Sequence, residues 1–310
     1  MKALRIGITG ATGFIGMQLI EHFIQAGHAI SVLTRSPKKI APHPNVTVHV
    51  ADLAVKNPAK LSAFTKDLDL IYHLAGELSD PTKMHAVNVE GTQHLLDAMD
   101  FNRTRFIHLS SVGIFDFTTE KILETSAMAP FNAYEQSKLA AEELIATKEK
   151  NGLKAIVLRP SIVLGHQMKS SLLSQLLQLI RFRIDLKVNA TTCAKVVLAE
   201  DLVRVLALFS TKNNLDGQRY NFSNDLPLKT LIQHLTEVHG SRLLLPVNVG
   251  LFQLGLRLGR SLGLLPISPE GIAFFSSSTT ISNEKIKRDL GFEFTADYRP
   301  FVQEYVTFQI

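Results

Sequence analysis

The amino-acid sequence predicts an α/β protein, a doubly wound parallel sheet followed by a smaller C-terminal lobe, and three observations lead there. Apolar runs alternate with helical patterns from Leu4 to Arg159, and the runs are almost continuously apolar, as strands covered on both faces must be. The first run ends in a glycine-rich turn that opens a helix. After Pro160 the alternation gives way to leucine-rich helical stretches.

In chain order, Leu4–Thr9, Ala29–Thr34, Val46–Val50, Asp69–Leu74, Arg105–Ser110 and Lys154–Arg159 read as strands. Phe14–Ala26, Lys83–Met99 and Asn132–Lys150 carry helical spacing between them. Ser170–Ile180 and Glu200–Phe209 follow as helices, with a short strand at Arg219–Phe222 that is expected to return to the sheet. The remainder reads as a helix to His239, a Gly- and Leu-rich stretch to Leu265, and closing helices near Asn283–Leu290 and Arg299–Phe308.

Composition narrows the function classes. The 310 residues, 45% hydrophobic and 20% charged, suffice for a large core. Net charge is +5, but no cationic run exceeds Lys38-Lys39, which argues against a nucleic-acid surface. Cys193 is the single cysteine, so no internal disulfide forms and a cytoplasmic location fits; the eleven His show no metal-ligand spacing. Met1 to Gly10 reads as a first strand rather than a signal sequence. Pro246, Asn248, Gln253, Arg257 and Arg260 interrupt the apolar stretch from Leu243 to Leu265, so no stable membrane insertion is expected.

The turn Thr9-Gly10-Ala11-Thr12-Gly13-Phe14-Ile15-Gly16 has the chemistry that a pyrophosphate needs. Gly10 permits the tight turn, Gly13 lets the diphosphate approach the backbone, and Gly16 lets the helix pack on the sheet. Amides at the helix start, with the helix dipole, then meet the anion. The second strand ends in Thr34-Arg35, with no carboxylate for a ribose 2′-hydroxyl, while Arg35 with Lys38 or Lys39 offers a cationic seat for a 2′-phosphate. NADP(H) is therefore preferred, and NAD(H) stays possible. The expected division is a dinucleotide-binding Rossmann domain over residues 1–165, to which part of 195–225 returns, and a substrate lobe over 166–310.

Further motifs follow in order: Asp52-Leu53, His73-Leu74-Ala75-Gly76, Asn88-Val89-Glu90-Gly91-Thr92, Ser110-Ser111, Tyr134-Glu135-Gln136-Ser137-Lys138 and Arg159-Pro160-Ser161. With the Thr9–Gly16 turn, they make the chain resemble the extended short-chain dehydrogenase/reductase family, also called the NAD-dependent epimerase/dehydratase family. The resemblance implies that Gly10, Thr12, Gly13, Phe14, Ile15 and Gly16 cradle the cofactor, with Arg35, Asp52 and Leu53 at its adenosine. It implies that Leu74, Ala75 and Gly76 cover ribose and phosphates, and that Pro160 and Val163 lie beside the nicotinamide. The catalytic set implied is Tyr134 as proton donor or acceptor, Lys138 on the nicotinamide ribose, and Ser111 on the substrate oxygen. Ser111 is preferred over Ser110 because it stands four residues before the aromatic Phe115, although Phe115-Asp116 replaces the family's Tyr-Gly. A homodimer through the Lys83–Met99 and Asn132–Lys150 helices is a further possibility of the family.

Independently of the resemblance, Tyr134 and Lys138 at i and i+4 share one helix face. An ammonium about 4 Å from a phenol at an effective dielectric near 20 contributes about 4 kcal/mol, so Tyr134 is expected to titrate roughly three units below its ordinary value. His73 and His108, in strands, read as packed histidines rather than ligands, and Ser111 lacks the Gly-x-Ser-x-Gly setting of a hydrolase elbow.

The nucleotide-sugar members of the family carry a Gly-Asp-Gly turn and basic residues after the nicotinamide stretch, and this chain has no such turn. Leu172, Leu173, Leu176, Leu177 and the Leu251–Leu265 segment suggest an apolar pocket, although such stripes are also ordinary core. The preferred reading is an NADP(H)-dependent oxidoreductase acting on a carbonyl or secondary alcohol of a small, mainly apolar molecule. The alternatives are a nucleotide-sugar epimerase or dehydratase of the same family, and a non-catalytic NAD(P)-binding sensor or assembly protein.

Overall fold

The computed structural model describes residues 3–165, 184–187, 193–239, 245–248 and 278–309. Seven parallel strands form its centre: β1 (Arg5–Thr9), β2 (Ala29–Thr34), β3 (Val46–Val50), β4 (Leu70–His73), β5 (Arg105–Leu109), β6 (Ala155–Pro160) and β7 (Gln218–Phe222). Their order is β7-β6-β5-β4-β1-β2-β3, with every neighbouring pair parallel. The chain winds from β1 out to β3 and then resumes at β4 on the other side. The order therefore reverses between β1 and β4, and a crevice opens beyond the C-terminal ends of those strands.

Burial explains the apolar runs. Ile6 and Ile8 in β1, Ile71 in β4, Ile107 in β5 and Ile156 and Leu158 in β6 are fully buried. On one face, α1 (Phe14–Gln25) supplies Leu19, Ile20 and Phe23, beside Leu206 and Phe209 of the Ala199–Phe209 helix. On the other face lie Leu61 and Phe64, Leu95 and Leu96, and Ile145. The helix bearing Leu61 and Phe64, Pro58–Thr65, was not among the expected elements. Only eight residues long, it shows too little period to read, yet Pro58 opens it and the Asn57 side chain caps it by accepting from the Lys60 amide at 3.1 Å.

The expected helix Lys83–Met99 is more complex. It comprises Pro81–Met84, a wider π-helical stretch His85–Glu90, and Gly91–Asp97. The expected strand Arg219–Phe222 is β7, on the outer side of β6. Past the sheet, Ile162–Leu164 pairs in parallel with Val196–Leu198. Ile162, Leu164, Val196 and Leu198 of this pair and the helices Leu228–His239 and Arg299–Gln309 share a second core with Leu231, Leu235, Val302 and Tyr305 at its centre, while Val163 and Val197 face the sheet core. Helix Glu284–Leu290 instead joins the sheet core through Ile286 and Leu290. The expected Ser170–Ile180 helix lies outside the described residues, as does the Gly- and Leu-rich stretch apart from Leu245–Asn248, a strand parallel to Ile184–Lys187.

Candidate active site

A cavity of about 850 Å3 opens beyond the C-terminal ends of the first six strands, β1 to β6. Gly10, Thr12, Gly13, Phe14, Ile15 and Gly16 line it from the turn after β1, Arg35, Asp52 and Leu53 from the β2–β3 side, and Leu74, Ala75 and Gly76 from the loop after β4. Ser111, Tyr134, Lys138, Pro160 and Val163 line it from the β5–β6 side. The residues expected to cradle the cofactor or to catalyse, from Gly10 to Val163, thus meet in one cavity, whereas Lys38 and Lys39, the further cations offered for a 2′-phosphate, do not line it. Lining residues not singled out include Leu78, Val87, Phe131 and Glu135.

The turn is built for an anion. Gly10 has φ +70°, and a Cβ there would stand 2.6 Å from the Ala75 amide nitrogen; a Cβ at Gly16 would collide with the Gly10 carbonyl. At Gly13 an added Cβ would meet only the Gly10 oxygen, at 3.1 Å, among the described residues. Gly13 is also the N-cap of α1 with no side chain to cap it, and no acidic residue stands in the first turn. The leading amides of α1 therefore remain for a ligand, and a pyrophosphate fits this cradle. At the β2 end, Arg35 Nη1 stands 3.8 Å from Asp52 Oδ2, an ion pair between an exposed guanidinium and a half-buried carboxylate.

The loop after β4 is held by two hydrogen-bond sets. Thr92 Oγ1 donates to the Asn88 carbonyl at 2.6 Å, so in its 2.9 Å contact with Thr92 the His73 ring donates from Nε2. His73 Nδ1 then accepts from Thr9 Oγ1 at 2.7 Å, and Thr9 Oγ1 accepts from the Ala75 amide at 3.3 Å. This arrangement needs a neutral His73, and burial, reinforced by Lys138, holds its pKa down to about 3. Asn88, on the π-helical stretch, accepts from the Glu77 amide at 2.7 Å and donates to Ser137 Oγ at 2.8 Å, tying that loop to the Ala133–Glu149 helix.

That helix begins at the N-cap Asn132, whose side chain accepts from the Glu135 amide at 2.8 Å. Its first turn carries Tyr134 and Glu135 into the cavity, and Lys138 follows one turn later, 4% exposed. Lys138 Nζ donates to the Leu109 carbonyl at 2.8 Å and stands 5.7 Å from the centre of the Tyr134 ring. The expected lowering of the Tyr134 pKa is corrected here. Burial, with the Glu135 charge adding to it, pushes the phenol above its ordinary value, and burial brings the Lys138 ammonium down to about 8. The ammonium is directed to a backbone carbonyl at the end of β5, and desolvation of the half-buried phenol outweighs its distant charge.

The two serines after β5 are in different situations. Ser110 Oγ donates to Glu142 Oε1 at 2.5 Å, and Glu142 in turn receives Arg159 Nη2 at 2.6 Å, with side-chain exposures of 5% and 3%. Ser111 accepts the Gly113 amide at 3.0 Å and lines the cavity with a hydroxyl proton still to place. His108 is stacked on His73 at 5.5 Å in the core. No cluster of three or more His, Cys, Asp or Glu that could hold a metal occurs among the described residues, and none of their helices is long and apolar enough to cross a membrane.

Comparison with known proteins agrees with this construction. The chain is 27% identical over 243 residues to N-acetyl-alpha-D-glucosaminyl-diphospho-ditrans,octacis-undecaprenol 4-epimerase of Escherichia coli O157:H7, covering 76% of this chain and 71% of that protein. It is 24% identical over 178 residues to 3-beta-hydroxysteroid dehydrogenase of Mycolicibacterium neoaurum, covering 52% and 48%. Across curated relatives that it matches, the chain spans from 4% to 72% of their lengths. The crystal structure of UDP-glucuronic acid 4-epimerase from Bacillus cereus in complex with NAD has the same fold, with a TM-score of 0.77 over 99% of this chain and 97% of that one at 19% identity. Residues 6–222 match the model of the NAD dependent epimerase/dehydratase family, and the chain belongs to that family of enzymes.

Proposed function

We propose that this chain is an NADP(H)-dependent oxidoreductase that reduces a carbonyl, or oxidises the corresponding secondary alcohol, of a small and mainly apolar molecule. The observation that carries the reading is that Ser111, Tyr134 and Lys138 line the same cavity as the Gly10–Gly16 turn. The nicotinamide, when bound, supplies or takes up a hydride. Tyr134 Oη moves the proton at the substrate oxygen, Ser111 Oγ holds that oxygen, and Lys138 holds the nicotinamide ribose. With its pKa held above the ordinary value, the Tyr134 phenol is protonated in the free protein and so enters a reduction as the proton donor. Residues 1–165 would bind the cofactor and 166–310 shape the substrate pocket.

The apolar substrate is supported by Leu78, Val87, Val112 and Phe131 around the cavity, and by the likeness to a steroid dehydrogenase. The NADP(H) preference is supported by Thr34-Arg35, since the partly exposed Arg35–Asp52 pair is weak enough to exchange Asp52 for a 2′-phosphate. Losing one charge-assisted contact costs about 1.5–3 kcal/mol, so Arg35→Ala should weaken NADPH binding roughly ten- to hundredfold and leave NADH nearly unaffected. Fluorescence titration of both cofactors measures this, and equal NADPH affinity in the two proteins rejects the preference.

A second reading in the family, epimerisation of a sugar carried on a diphosphate, is favoured by the similarity to the Escherichia coli epimerase over 243 residues. It returns the hydride within each turnover. Net loss of reduced-cofactor absorbance in step with product distinguishes the two.

A further inference from the structure

Glu135 takes no part in that mechanism, yet it lines the cavity. It is 7% exposed, and Oε2 is buried with no hydrogen-bond partner among the described residues. A Cβ on Gly113 would collide with the Glu135 carboxyl, so the glycine is what admits it. As the third residue of a helix capped by Asn132, a glutamate ordinarily turns back to the N-cap amide. Here the carboxyl instead turns towards the segment after β5, against Gly113 and beside the Ser111 side chain, whose influence favours its ionised form.

Ser111 Oγ already accepts the Gly113 amide and has a single proton to give. An ionised Glu135 takes that proton, leaving none for a substrate oxygen. A protonated Glu135 donates to the remaining lone pair of Ser111 Oγ, and the serine proton turns into the cavity. We propose that Glu135 is a positioning residue whose own protonation decides whether Ser111 donates to the substrate oxygen. This rests on the reading of Ser111 as the residue that holds that oxygen. The groups that face Glu135 are Ser111 from the segment after β5 and Lys138 and Tyr134 from its own helix. Burial outweighs the Ser111 bond and the Lys138 charge and brings the carboxyl to about 7, so both forms are populated near neutrality.

Two readouts test this on the full chain. In infrared titration with 13C-labelled glutamate, the carboxyl assigned by its loss in Glu135→Gln should titrate near 7, and higher by about one unit in Ser111→Ala, which removes a bond to the ionised form. With phenanthrenequinone as the carbonyl probe and NADPH, the wild-type reduction rate should fall about tenfold per pH unit above that point. Glu135→Gln keeps a neutral donor to Ser111, so it should lack this limb, outpace the wild type by up to about tenfold at pH 8, and retain the limb of Lys138 near 8. A Glu135 signal unmoved in Ser111→Ala, or a limb near 7 that persists in Glu135→Gln, overturns the proposal. An intact infrared coupling with no carbonyl reduced overturns the reductase reading alone and leaves the link between Glu135 and Ser111 standing.

Discussion

Tyr134 and Gly13 define the site at the scale of single residues, one by what it carries and the other by what it lacks. The space around Gly13 is open apart from the Gly10 oxygen, so Gly13→Val should fill the diphosphate's place and abolish NADPH binding while far-UV circular dichroism stays native. Normal binding in that variant would place the pyrophosphate elsewhere. Lys138→Ala should lower turnover and weaken NADPH binding together, because the ammonium lies between Leu109 and the loop at Gly76, 3.5 Å from a Cβ added there. Glu135 adds a pH term. Its folded pKa lies above its unfolded value, so the folded protein holds the proton between about 4.5 and 7 and loses stability as pH rises through that window. Glu135→Gln has no such proton, so urea unfolding should show the variant gaining on the wild type from pH 5 to pH 7. The glycines and Tyr134–Lys138 were legible because local backbone and one helical turn fix them. The environment of Glu135 was not, since Ser111 and Gly113 come from a segment more than twenty residues away.

Among elements, the Ala133–Glu149 helix is held to the sheet by the Glu142–Arg159 pair and by Ser110, so the bond that consumes Ser110 also fixes the segment that presents Ser111. Glu142→Ala would leave the Arg159 guanidinium buried and short of its carboxylate, a change that costs about 3–5 kcal/mol when a buried pair is broken. Chemical denaturation should show that loss, and a change below about 1 kcal/mol would mean water reaches the pair. The strands were legible from continuous apolar runs and the turn residues between them. The eight-residue helix Pro58–Thr65 and the π-helical stretch His85–Glu90 were not, because one is too short to show a period and the other departs from the period altogether.

For the whole molecule, the reversal of strand order between β1 and β4 gathers one cavity from the ends of six strands, which is why motifs spread over more than 150 residues come together. A ligand that binds the folded form alone should stabilise it by about 2.7 kcal/mol at a hundredfold excess over Kd, so NADPH should raise the melting temperature and Gly13→Val should remove the rise. The measurement closest to the central claim is turnover of NADPH with a carbonyl substrate in the wild type and in Tyr134→Phe, alongside NADPH affinity in both. In the proposed mechanism the phenol acts on the substrate oxygen rather than on the cofactor's phosphates, so turnover should fall by about 10² to 10⁴ with affinity barely changed. Full turnover in Tyr134→Phe would contradict the account.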